Sequence, residues 1–186
     1  MKESVEVGTE VVPVSVDTIG HSTRSEDEFS QILVAHNVRN LVDVRSFPGS
    51  RRYPQFNQQQ LAESLPPLGM KYHHLPALGG RRRPLPNSKN TAWKNSSFRA
   101  YADYMESEGF RVGIDQLLDI AKVERTAIMC AEALWWRCHR GLIADYLKML
   151  GIEVLHIVDA KRSETHPFSS AAQIIDGTLS YEGLLG

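Results

Sequence analysis

A chain of 186 residues with 42% hydrophobic and 23% charged residues has the make-up of a single soluble domain with apolar mass for a sizeable core. Its formal net charge of -1 excludes a globally basic nucleic-acid binder but leaves room for a local basic face. No apolar run is long enough to span a membrane, the start MKESVEVGTEVVPV lacks the apolar core of a secretory signal, and only two cysteines are present, so a reduced cytoplasmic chain is expected.

Residues 1–11 are polar and are expected to be disordered. Residues 12–19 alternate and are β-branched, which predicts a first strand running into Gly20, His21, Ser22 and Arg24. Ser25 with Glu28 three residues on forms a capping box, and Phe29, Ile32, Leu33 and His36 share one face of the helix that follows. A short second strand from Asn40 to Arg45 opens into a turn-rich loop holding Pro48, Gly49, Ser50, Arg51 and Pro54. Residues 57–65 read as helical and end at Pro66-Pro67. A weaker third strand spans 71–75. The stretch 79–97, with Arg81, Arg82 and Arg83 adjacent, is long for a loop and is expected to be a mobile lid or binding loop. Residues 98–123 read as helix with a break near Gly109 and Gly113. Thr126–Cys130 is apolar on both faces, the pattern of a buried strand. Beyond it come Glu132, Trp135, Trp136, Arg137, Cys138, His139 and Arg140, then apolar residues at helical spacing up to a stop at Gly151. Residues 153–159 give a fifth strand, and the tail from Lys161 holds one short apolar segment.

Strands alternating with helices predict an α/β fold: a single domain over 12–186, with a mostly parallel central sheet of about five strands and helices on both faces. In such a sheet every loop after a strand emerges at the carboxyl edge, where open α/β folds bind ligands. Those loops carry about half of the 21 Lys+Arg residues, which implies a cationic cleft at one end of a near-neutral molecule.

The candidate site follows from that sorting. Glu132, with His139 or His21, has the chemistry of a proton carrier. Arg45, Arg51, Arg81 and Arg140, with Ser22 and Ser50, have the donors to hold a phosphate or carboxylate. Asp43, flanked by valines, is placed to orient Arg45 or His21. One of Trp135 and Trp136 is expected to stack on a ligand, the other to pack inward. Cys138, between Arg137 and His139 near a helix start, reads either as an activated thiol or as a structural cap. Cys130 reads as a buried structural thiol. No CxxC, HxxxH or HxH spacing points to a metal, so neither metal nor cofactor is expected. The expected partner is an anionic small molecule or nucleic acid. The function is then an enzyme on a phosphate-bearing substrate, or a binding module using the same cleft.

The motifs GHS at Gly20, DVRSFPGSRRYPQFN from Asp43, LGGRRR from Leu78, CAE…CHR from Cys130 to Arg140 and HPFSSAAQIIDGTLSY from His166 are similar to the domain-of-unknown-function family 488. This likeness covers about residues 16 to 182 and implies a compact α/β domain, with no settled activity to carry over. LVDVR from Leu41 to Arg45, and a strand ending in Cys130 before a helix, more loosely resemble rhodanese-like and cysteine-phosphatase domains. That likeness implies sulfur transfer or Cys-dependent phosphatase chemistry. The loop after Cys130 departs from it: Ala-Glu-Ala-Leu-Trp-Trp-Arg has no glycine, and a carboxylate stands where anion donors are needed.

Overall fold

The computed structural model describes residues 14–183. The proposed disordered segment 1–11, and the first two residues of the expected opening strand, lie outside that range. Six strands form the main sheet in the order β3-β2-β4-β1-β5-β6. They are β1 (Ser15–Gly20), β2 (Asn40–Asp43), β3 (Lys71–His74), β4 (Thr126–Cys130), β5 (Glu153–Ile157) and β6 (Ser163–Thr165). The first five are parallel, and β6 runs antiparallel on the β5 edge. A separate hairpin joins β7 (Gln173–Ile175) to β8 (Thr178–Ser180). The α/β reading with a mostly parallel sheet therefore holds. The three short strands of the tail escaped it because each is three residues long, too brief to show a period.

Five helices cover the sheet: α1 (Glu26–Ala35), α2 (Gln58–Ser64), α3 (Ser96–Met105), α4 (Glu108–Ala121) and α5 (Arg140–Met149). Alternation along the strands divides the core in two. Val16, Val42, Ile128 and Val154 pack with Tyr101, Phe110, Leu117 and Leu142 from α3, α4 and α5. Ile19, Leu41, Ala127 and Met129 pack with Phe29, Leu33 and Leu61 from α1 and α2. Ser25 caps α1 by accepting a hydrogen bond from the Glu28 amide at 3.1 Å. The expected helix over 98–123 is two helices, and the break falls at Glu106-Ser107, where the Ser107 side chain caps α4. Gly109 and Gly113 lie inside α4. Gly113 is there for packing, since a Cβ would press on the Leu78 side chain at 2.8 Å.

The loop 79–97 has no regular secondary structure up to Asn95, and several of its side chains bond to their surroundings. The Arg82 guanidinium lies 3.4 Å over the Tyr104 ring and donates to the carbonyls of Gly79, Pro76 and Ala77. Asn90 is buried and donates to Asp103 at 2.9 Å. Among the described residues no helix is long and apolar enough to cross a membrane.

Candidate functional site at the carboxyl edge

The chain reverses direction across the sheet between β1 and β4: β1 leads toward β2, while β4 leads past β1 to β5. Such a switch point opens a crevice at the strand ends. Register levels that edge, since Gly20 pairs with Cys130 and Asp43 with Met129. A cleft of about 440 Å³ sits there, lined by residues from the loops after β1, β2, β3 and β4.

Of the residues singled out from sequence, His21, Arg45, Ser50, Arg81, Glu132, Cys138 and His139 line this cleft. Ser22, Asp43, Arg51, Trp135, Trp136 and Arg140 do not. Cys130, Ser46, Phe47, Tyr53, Phe98 and Arg137 line it too. Cys130, read from sequence as a buried structural thiol, is the last residue of β4 and so reaches the carboxyl edge where the cleft opens.

Two of the arginines are held inside the fold. The Asp43 carboxylate, fully buried, accepts from the Arg45 amide, Nε and Nη2 and from the Tyr72 hydroxyl, and Arg45 Nη2 also donates to the Phe56 carbonyl. Burial, then the charge of Asp43, pushes the Tyr72 hydroxyl well up. Arg45 Nη1 faces His21 Nε2 at 3.3 Å, while His21 Nδ1–H donates to the Ser22 carbonyl at 2.9 Å. Burial, stacking on Phe56 and the Arg45 charge keep His21 neutral, and its pKa is lowered to about 4, chiefly by burial. With its one lone pair facing a guanidinium, His21 is poorly placed to carry a proton. Arg140, 1% exposed, donates to the carbonyls of Glu132 and Ala133 and to Thr18 Oγ1, so it staples the β4–α5 loop to the sheet. Gly20 lies so close to the Glu132 carbonyl that a Cβ would not fit.

The loop after Cys130 turns back through a short 3-10 turn, Trp135–Arg137. Trp135 stacks on His156 with ring centroids 4.3 Å apart, which fixes the turn from the far side, and Trp136 is half exposed outside the cleft. The return brings Cys138 and His139 onto the end of β4. His139 Nδ1 then lies 3.5 Å from Cys138 Sγ and 4.0 Å from Cys130 Sγ. Its Nε2–H donates to the Val44 carbonyl at 3.0 Å, so in the neutral ring the Nδ1 lone pair is directed at both sulfurs. Tyr101 packs against the imidazole at 5.1 Å. Both cysteines are free and buried. A hydrogen bond from Cys130 holds the Cys138 thiol below the ordinary range, and the same contact pushes Cys130 up. The three ligand-type atoms lie within 4.8 Å of one another, and this is the group that could hold a metal among the described residues. Sequence spacing gave no sign of it, because seven residues separate the cysteines and only the turn at Trp135 closes that distance.

At the rim, Arg81 and Arg137 are exposed, Glu132 is exposed, and Phe47 is 73% exposed. The family model described as "Domain of unknown function DUF488" matches residues 25–147, more than half of the chain. No curated protein and no solved structure matches it.

Proposed function

The chain belongs to the family "Domain of unknown function DUF488", and for this member we propose an enzyme that acts on a phosphate-bearing substrate, a nucleotide or nucleic acid, in the carboxyl-edge cleft. One observation carries the reading. Two thiols and an imidazole meet on the floor of an open cleft whose rim bears exposed Arg81 and Arg137. Buried thiols are ordinary as core residues, but a trio facing a ligand-sized cavity that two exposed arginines also line has the layout of an active centre.

Each rim residue has a role in this reading. Arg81 and Arg137 hold the anion by charge-assisted hydrogen bonds. Phe47 and Phe98, both lining the cleft, offer faces for a base. Phe47 replaces the tryptophans in that role, because Trp135 is stacked on His156 and neither indole lines the cleft. Glu132 moves the proton. The test pairs binding with turnover on a panel of nucleotides and phosphate esters. Arg81→Ala and Phe47→Ala should each weaken nucleotide binding by about 5- to 150-fold, the range of one stacked base or one charged hydrogen bond. Glu132→Gln should cost about 10²–10⁴ in rate with binding kept. Binding by wild type without any turnover would leave a binding module, and no affinity for any phosphate compound would sink the reading.

A further inference from the structure

We propose that Cys130 Sγ, Cys138 Sγ and His139 Nδ1 form a three-ligand site for a thiophilic divalent cation, zinc(II) by class, with its fourth position open to the cleft. The inference rests on reading this cleft as the active centre, and it names the group that the trio would hold there.

Geometry is the first support. Zinc bonds of about 2.3 Å to sulfur and about 2.0–2.1 Å to nitrogen, set tetrahedrally, place sulfur about 3.6 Å from nitrogen. The two sulfur–nitrogen separations here are 3.5 and 4.0 Å. Both are within a few tenths of an ångström of that value, and all three atoms fall within 4.8 Å of one another. The ligands also come from two rigid elements, the end of β4 and the residues that open α5.

The surroundings are the second support. A ligating histidine commonly donates its other ring N–H to a carbonyl or carboxylate, which fixes its tautomer. The Val44 carbonyl does this for His139 at 3.0 Å. Gly80 packs over the face of the imidazole, where a Cβ would lie 2.5 Å from Nδ1 and 2.8 Å from Cγ, so a larger residue would displace the ring. The charge of the ion is met by its own ligands, which leaves only the Arg140 charge that the fold already holds. Arg140 already contributes a buried positive charge beside the trio, and a bare dication there would be unfavourable. Two thiolates neutralise that dication.

Three protein ligands with one open position is the arrangement of catalytic rather than structural zinc. A water or a substrate oxygen would occupy the fourth position from the cleft side, below Arg81 and Arg137.

The experiment uses the full chain, purified under reducing conditions, with zinc content measured by mass spectrometry and the metal-free protein titrated with cobalt(II). One metal per chain is expected, with a thiolate-to-cobalt band in the near ultraviolet and the intense visible bands of a tetrahedral ion. Cys138→Ser and Cys130→Ser should each weaken the metal more than about 100-fold, because even outer-shell partners cost about 10- to 100-fold. Gly80→Ala should weaken it while leaving all three ligands in the sequence. Lys71→Ala, exposed at the amino end of β3 and paired with Glu124, should bind cobalt like wild type. The wild-type titration does not depend on any variant folding. Reduced wild type that takes up neither metal overturns the inference, as does cobalt binding that survives both cysteine variants. Metal uptake without turnover on any phosphate compound leaves the site standing and removes the enzyme reading. Turnover in metal-free protein that then takes up neither zinc nor cobalt removes the site and leaves the enzyme reading.

Discussion

Acid should unfold this protein through a buried histidine outside the cleft lining. His156 is 2% exposed on β5. Its Nδ1 accepts from the Thr18 hydroxyl at 2.7 Å, and its Nε2–H donates to His166 Nδ1 at 2.8 Å. His166 Nε2–H donates in turn to Asp145 at 2.9 Å, and Tyr181 donates to the same carboxylate at 2.8 Å. Burial, then the charges of His166 and Arg140, lowers the His156 pKa from 6.5 to about 3. The folded state thus prefers the neutral imidazole. Its contribution to stability is complete above pH 6.5 and is lost as pH falls from 6.5 toward about 3. Each pH unit in that window corresponds to about 1.4 kcal/mol, so pH 5 should cost about 2 kcal/mol relative to pH 7. Urea unfolding of wild type and His156→Gln at both pH values isolates this group, because every other titrating residue is shared. The variant starts less stable, since Thr18 loses its acceptor, but it should lose about 2 kcal/mol less than wild type on acidification. Parallel pH profiles for the two proteins would refute the reasoning.

Asp43→Asn leaves the Arg45 guanidinium buried without its carboxylate, and urea unfolding should show a loss of about 3–5 kcal/mol. Arg82→Ala removes a cation–π contact and three carbonyl partners, so it should lower the melting temperature by several degrees, while Arg81→Ala, exposed at the rim, should leave it nearly unchanged. Ser107→Ala removes the cap that starts α4 and should cost about 1 kcal/mol, again by urea unfolding. If the cleft takes a single-stranded oligonucleotide, log affinity should fall with log salt by about 0.7 per phosphate contacted, and replacing Arg81 and Arg83 together should reduce that slope by up to about 1.4. An unchanged slope would place the phosphate contacts elsewhere.

What could be read from the residues alone follows from periodicity and end signals, which are local. Thr126–Cys130 is a strand because four apolar residues in a row behind Thr126 suit a sheet covered on both faces. Ser25 starts a helix because its side chain can reach an amide three residues on. Alternation of such elements gives a parallel sheet, and a parallel sheet puts the loops holding His21, Arg45, Arg81 and His139 at one edge. Which of those side chains face a ligand is a matter of long-range partners. Arg45, Arg140 and Arg81 are the same residue type in similar loops, yet the first two donate into buried carboxylate, hydroxyl and carbonyl groups and only the third stands at the cleft rim. Cys130 and Cys138 are far apart along the chain for a metal or thiol pair until the Trp135 turn, anchored by stacking on His156 twenty-one positions later, folds one back onto the other. Periodicity registers which face of an element is apolar. It does not register which polar groups meet, because that depends on atoms brought together by strand order, register and loop return, each set by packing of the whole domain.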